Sequence, residues 1–399
     1  MGAPTVKGLY VVAGTVMAGV SAVFALLAEI EDRYALTKSG LGLIAGSAFA
    51  AALVTQLGLS RYADRGWGLV LLRAGVAMAA GGLLWFAAAT ELWQFVAARA
   101  VLGASIGLIV PAARRAIVLS ADGDLGERLG VFYAAYLAGF VLGPPLAGAL
   151  TVIADVRLPF VVFGALVAAS SSALRDVVID APGSRRALLA PPDRRVMRRL
   201  LRRRELVAAL LVVVSFRYSI GVFEPLWATF LDDLGAGTMT ITLSLTLFAL
   251  PMLIVARRAG RLSDTYGPRL TSILSAAATV PLMASYGYLG SLPLIMALAI
   301  PHGLGEAIQS PATQAAVSQA APPRDAAAAQ GLAEAAGSAA AATGAFTAAP
   351  IYDSLGPGPA WLIASITMAM LLIASTALDR PRRQASPSVA PVDPAPTLI

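Results

Sequence analysis

The chain has no cysteine and a single histidine, His302. Without cysteine there is no disulfide framework, no thiol catalysis and no thiolate metal site. A lone histidine removes His-rich metal centres as well, so no metal and no bound cofactor are expected. Lysine is nearly missing; apart from Lys7 and Lys38, every cation is an arginine. Charge of either sign is scarce: Asp, Glu, Lys and Arg make up 13% of the 399 residues. Soluble domains carry roughly 25%, so most of this chain cannot face water. No nucleophile–base constellation can be assembled from what remains, and enzymatic activity is not expected.

What is abundant is apolar sequence, 58% of residues with mean hydropathy +0.75. A helix needs about 20 mainly apolar residues to span a bilayer. Twelve runs qualify, near 8–28, 39–59, 68–89, 92–113, 128–152, 157–174, 206–230, 239–257, 269–289, 292–316, 326–349 and 358–378. The first is too long for a signal-peptide core and lacks a small-x-small cleavage site, so it reads as a span. The tail, 379–399, is rich in Pro and Ser and reads as disordered.

One stretch sets the orientation. Residues 175–204 hold ten arginines against Asp176, Asp180 and Asp193. Lys and Arg near span ends resist translocation, which places this stretch and both termini in the cytoplasm. With twelve spans, twenty-four cations fall on that side and only Arg33, Lys38 and Arg157 on the other. The net charge of +7 is therefore a topology signal and not a nucleic-acid one. Within the stretch, Pro191-Pro192-Asp193 marks a helix start. Val196, Met197, Leu200 and Leu201 then recur at helical spacing. That pattern suits a basic helix on the anionic inner leaflet, or else a solvated linker. Glu29, Glu31 and Asp32, at the outer end of the first span, read as solvated.

The chain repeats itself at an offset of about 200 residues. Asp64 matches Asp264, Gly103 and Pro111 match Gly303 and Pro311, and Gly130 and Gly143 match Gly331 and Gly344 one position on. The spacing suggests a duplicated six-helix unit: 1–174, a cytoplasmic linker at 175–204, a second unit at 205–378, and the tail. Parallel repeats of this kind place a transport site between the halves near the midplane.

Residues 260–269 read GRLSDTYGPR. Glycine permits a tight turn, and an aspartate near a helix end can bind an arginine of the other half in one conformation only. Gly260, Leu262, Ser263, Asp264, Gly267 and Arg269 resemble the cytoplasmic loop signature of the major facilitator superfamily. The earlier copy around Asp64, SRYADRGWG at 60–68, is degraded. Arg99 with Gly103 resembles that family's fourth-span feature. Gly139, Gly143, Pro144 and Gly148 resemble the fifth-span feature of its antiporters, notably drug/proton exporters; the same residues also fit generic small-residue packing.

The resemblance covers the whole chain. It implies an all-α membrane protein with twelve transmembrane helices in two pseudo-symmetric six-helix bundles. It further implies a monomer in a bacterial cytoplasmic membrane, working by alternating access on a small-molecule substrate and protons, with the proton gradient as energy source. Export of amphiphilic compounds is the favoured activity. Uptake symport of a metabolite is the alternative, and a non-transporting scaffold or receptor the alternative of another class. Spans 1, 4, 7 and 10 of the family line the cavity, and 2, 5, 8 and 11 form the interface between halves.

Ionisable residues inside spans cost roughly 2.5–3.5 kcal/mol each when they face lipid, so they are expected to face protein or a cavity. Arg99, Arg217 and Glu224 are three. His302, Glu306, Gln309 and Thr313 form one polar stripe and Gln330, Glu334 and Ser338 another. A carboxyl balanced between burial and a nearby cation can load and release a proton near neutral pH, which makes Glu306, Glu334 and Glu224 proton-coupling candidates. Each also fits a static pair, Glu224 with Arg217 for instance. Arg99, Arg217, His302, Gln309, Gln330, Tyr133 and Tyr136 are the cavity candidates, with Phe216, Phe223, Trp227 and Phe248 as further aromatic walls. Two arginines against three carboxylates leave one negative charge, which predicts cationic or neutral substrates.

Overall fold

The computed structural model describes residues 6–62, 67–120, 125–175, 177, 194–322 and 325–379. Asp64, most of the basic stretch and the tail beyond 379 lie outside the described residues. All regular structure among the described residues is helical. The first half contains α1 (Lys7–Ala25), α2 (Leu27–Tyr34), α3 (Lys38–Tyr62), α4 (Gly68–Ala88), α5 (Leu92–Ser120), α6 (Leu125–Ile153) and α7 (Leu158–Ser170). A short α8 (Arg194–Leu201) precedes the second half: α9 (Arg204–Asp233), α10 (Thr238–Tyr266), α11 (Pro268–Tyr286), α12 (Leu292–Ala320), α13 (Ala326–Leu355) and α14 (Pro357–Asp379). Counting α1 with α2 as one span gives the expected twelve.

Nine of the described helices are long and apolar enough to cross a membrane. The segment Leu158–Leu174 is shorter. Helices α11 and α13 are less apolar, and α13 owes this to the Gln, Glu, Ser, Thr and Gly residues among its alanines. It packs against α3 of the other half, so small residues serve it better than large lipid-facing ones.

The repeat read from the sequence is a repeat of backbone contacts. A Cβ at Gly103 would lie 2.1 Å from the carbonyl oxygen of Ala48, and one at Gly303 would lie 2.2 Å from that of Phe248. Helices α5 and α12 thus touch α3 and α10 at equivalent points. Likewise Gly143 abuts the Ala18 carbonyl and Gly344 the Tyr218 carbonyl, at 2.4 and 2.5 Å from a built Cβ. These pairs hold α6 on α1 and α13 on α9. Each half has its own apolar core, around Phe86, Phe95 and Phe160 in the first and around Phe223, Trp227 and Trp361 in the second.

The halves meet unevenly. At the end poor in cations, which the charge rule places outside, Gly42 and Gly46 of α3 sit against Ala349 and Phe346 of α13. Gly148 of α6 sits against Thr242 of α10. Among the described residues, most side-chain hydrogen bonds between the halves lie at this same end.

Helix α8 forms where the sequence predicted one; of its apolar residues Leu200 turns to protein while Leu201 stays exposed. Leu200 is fully buried against Leu206, Leu210 and Val317, and Arg199 holds Asp325 at 2.8 Å.

Candidate functional site

Mid-depth between the halves, α5 and α9 bring Arg99 and Glu224 together. The two are 2% and 8% exposed and form an ion pair and hydrogen bond. Arg217, two turns earlier on α9, is not the partner of Glu224. Its side chain lies across Gly337 of α13, with Cγ 2.8 Å from where a glycine Cβ would be. It makes no hydrogen bond or ion pair with any described residue, and its Nε is buried and unpartnered.

Between this level and the basic end, polar side chains of both halves face one another in a region called the vestibule below. Arg114 of α5 spans the halves to reach Glu334 of α13 at 3.6 Å, too long for a hydrogen bond. Its guanidinium also sits 5.1 Å from the ring centre of Tyr133 on α6. Tyr136, one turn on, is within electrostatic reach of Arg217, Glu334 and Arg114. Tyr133 and Tyr136 thus lie beside Arg114 and Glu334 at the seam of the halves. Glu334 is there too, but its side chain is 39% exposed, so the buried environment expected of it is absent. Gln330 is not a cavity residue: its amide donates to the Gln314 carbonyl and to Ser318 at 2.7 and 2.8 Å, stapling α13 to α12.

Glu306 and His302 sit inside the second half and do not touch the first. His302 is 0% exposed. Its Nδ1 lies 3.1 Å from the Tyr286 hydroxyl and its Nε2 3.7 Å from the Glu306 carboxylate. Phe223 and Phe248 pack on its ring. Phe223 and Trp227 are thus core residues and not cavity walls. Gln309, on the same helix face, is 1% exposed with both amide atoms unpartnered among the described residues.

The outer end carries a clasp that the sequence reading missed. Lys38 of α3 binds both carboxylate oxygens of Asp233 on α9 at 2.9 Å and reaches Glu31 at 3.4 Å. Tyr352 of α13 donates to Asp233 at 2.6 Å. Ser39 donates through its hydroxyl to Asp353 at 2.6 Å. Thr229 donates to Glu31 at 2.8 Å, and Thr238 donates to Glu29. Glu29 and Glu31 are thus half-buried and bonded to the other half, not solvated. Burial holds both carboxyls above the usual range. Asp232 and Asp32 push Glu29 the same way; Thr229 and Lys38 partly offset the effect on Glu31. Lys38, one of two lysines, and the acidic ends of α9 and α13 were the available signal.

The loop signature has the turn its glycines imply. Gly267 joins α10 to α11 at φ +85°, a region favouring glycine. Asp264 lies in the last turn of α10 and not at a helix N-terminus. It is exposed and has no ion pair among the described residues. Arg269 donates to the Ser375 carbonyl at 3.3 Å. On α6, a Cβ at Gly139 would lie 2.0 Å from the Gly14 carbonyl. Gly139 and Gly143 therefore serve packing within the first half, Gly148 serves packing between halves, and Pro144 lies inside the helix between them.

No curated protein matches the chain. Solved structures do, at low identity. A mutant of the nucleoside transporter NupG superposes with TM-score 0.79 at 12% identity, covering 94% of this chain and 100% of its own. A bacterial homologue of the human lysosomal transporter Spinster, captured inward-facing and occupied, gives 0.75 at 14% identity and 94% coverage of both chains. A POT family transporter in complex with a thioalcohol-conjugated peptide gives 0.74 at 13%, covering 94% and 96%. The sequence model of the Major Facilitator Superfamily matches residues 9–231 and again 209–398. This chain, with its two like halves closing around Arg99 and Glu224, belongs to that superfamily.

Proposed function

We propose that the chain exports small amphiphilic compounds across a bacterial cytoplasmic membrane in exchange for protons. The observation that carries this reading is the Arg99–Glu224 pair, buried between halves whose other side-chain bonds lie mostly at the outer end. Of the three carboxyls considered for proton coupling, only Glu224 is both buried and bonded across the interface. A proton on Glu224 cancels the charge that holds Arg99, so protonation alters the contact between the halves directly. Glu306 lies 3.7 Å from His302, beyond hydrogen-bond reach, and meets the first half only through α9. Glu334 faces the vestibule and belongs with substrate. The Gly139–Gly148 resemblance to antiporters supports exchange over symport. Asp264, without an ion pair here, suits a latch made only when the basic end closes.

Proteoliposomes with an imposed pH gradient test the reading. Wild type is expected to move an amphiphile against its gradient while protons flow the other way. Glu224→Gln should abolish gradient-driven flux and retain downhill exchange. Co-directional movement of proton and substrate would replace export by symport, and a Glu224→Gln protein that still concentrates substrate would remove Glu224 from the coupling.

A further inference from the structure

We infer that the vestibule takes a small organic anion: a carboxylate on an aromatic or aliphatic body, bound by Arg217 and Arg114 beside Tyr133 and Tyr136. This rests on the transport reading above and names its substrate class. The sequence count of one net negative charge treated all intramembrane charges as one site, and the structure divides them. Arg99 and Glu224 neutralise each other. Glu306 is enclosed in the second half with His302. What faces the vestibule is Arg114 and Arg217 against Glu334, two cations to one anion.

The bonding is incomplete in the same sense. Arg217 has no counter-ion among the described residues, and the Arg114–Glu334 contact at 3.6 Å leaves Arg114 able to take a better acceptor. A cation at membrane depth is costly unless it meets water or an anion. Guanidinium groups bind carboxylates through two parallel hydrogen bonds. Gly337 is the steric condition for the site, because a side chain there would push Arg217 away. Tyr133 is 38% exposed, with the Arg114 guanidinium over its ring. On its other side Tyr136 packs against Val16, Met17, Ile106 and Phe132 of the first half with no open space between them, so the body behind the charged head lies along the two tyrosines.

Full-length protein in nanodiscs of zwitterionic lipid tests this by calorimetric titration with phenylacetate through phenylhexanoate and their matching amides and amines. At least one carboxylate should bind about tenfold or more tighter than its amide, with the amines weakest. Arg217→Gln should lose that preference with unchanged melting temperature, Arg217→Lys should keep part of it, and Gly337→Ala should mimic Arg217→Gln. The inference is overturned if no carboxylate outdoes its amide or if folded Arg217→Gln binds like wild type. It is overturned equally if phosphatidylglycerol in the disc abolishes the binding, which would assign the site to a lipid headgroup. Flux separates the two readings. Movement of the amines or amides but not the carboxylates refutes the anion class and leaves transport standing. Movement of none refutes transport of this class altogether.

Discussion

Arg99 and Glu224 meet where neither can be solvated by bulk water, so each depends on the other. Removing one partner of such a pair typically costs about 3–5 kcal/mol, because the other charge is stranded, whereas replacing both with apolar groups is often neutral. Arg99→Met should therefore lower the thermal unfolding temperature sharply in nanodiscs, and Arg99→Met with Glu224→Leu should restore most of it. The restored protein should no longer couple flux to the pH gradient. A double variant as unstable as the single one would mean the pair is not what links these positions. Both residues were legible in the sequence as charges that must avoid lipid. Their partnership was not: it joins residues 125 apart in the chain, while Arg217 stood two turns from Glu224 on the same helix and looked like the nearer partner. Only the relative placement of α5 and α9 decides between them, and no local pattern encodes it.

Helix ends tell a similar story. The twelve apolar runs fall where helices form, since length and hydropathy alone decide whether a segment can span. The break at Leu26 that splits α1 from α2 has no glycine or proline to announce it, and that break delivers Glu29 and Glu31 to the opposite half. Charges at span ends read as solvated because most are; here the tilt of α2 and α3 toward α9, α10 and α13 turns them into a clasp. The sign of its pH dependence follows from burial. In the closed state Glu29 and Glu31 sit above the ordinary carboxylate value of 4.5, and opening returns them to water, toward that value. The closed state therefore binds protons more tightly. This contribution to closure is complete at outer pH below the ordinary value and is lost as pH rises through the raised one. Around Glu29 the facing groups are Thr238, Asp232 and Asp32; around Glu31 they are Thr229, Lys38 and Asp233. Maleimide labelling of Ala28→Cys, 2% exposed and packed in the second half's core, should accelerate as outer pH is raised across the acidic range by more than the rise in thiolate fraction measured on a free thiol at each pH. Lys38→Gln should raise labelling at every pH by freeing Asp233. Labelling that slows with rising pH would reverse the assignment.

At the scale of the molecule, the contacts within a half differ in kind from those between halves. Within each half, glycines at 14, 103, 139, 221, 303 and 344 press helix backbones together, so a change in crossing angle meets hard contacts at once. Between halves, Gly42 also meets the Ala345 carbonyl, but most of the outer end is held by side chains, those of Lys38, Ser39, Glu29 and Glu31, which can part and re-form. Motion should therefore run between two rigid bodies, with the Arg99–Glu224 level as its fulcrum. Opening the clasp then closes the basic end and brings Asp264 to a partner. Because the chain lacks cysteine, spin labels can be placed without removing anything. Leu57 with Tyr266, both exposed near the basic end, reports the inner gap, and Trp93 with Tyr288, both exposed near the outer end, the outer one. Leu57 with Trp93 stays within the first half as a control. Raising outer pH should lengthen the outer distance and shorten the inner one in the same fraction of molecules, with the control fixed. Asp264→Asn should leave the inward-open distances as they are and deplete the inner-closed population. Distances that change at one end alone, or a control pair that moves with them, would show bending within a half and would remove the fulcrum from the Arg99–Glu224 level.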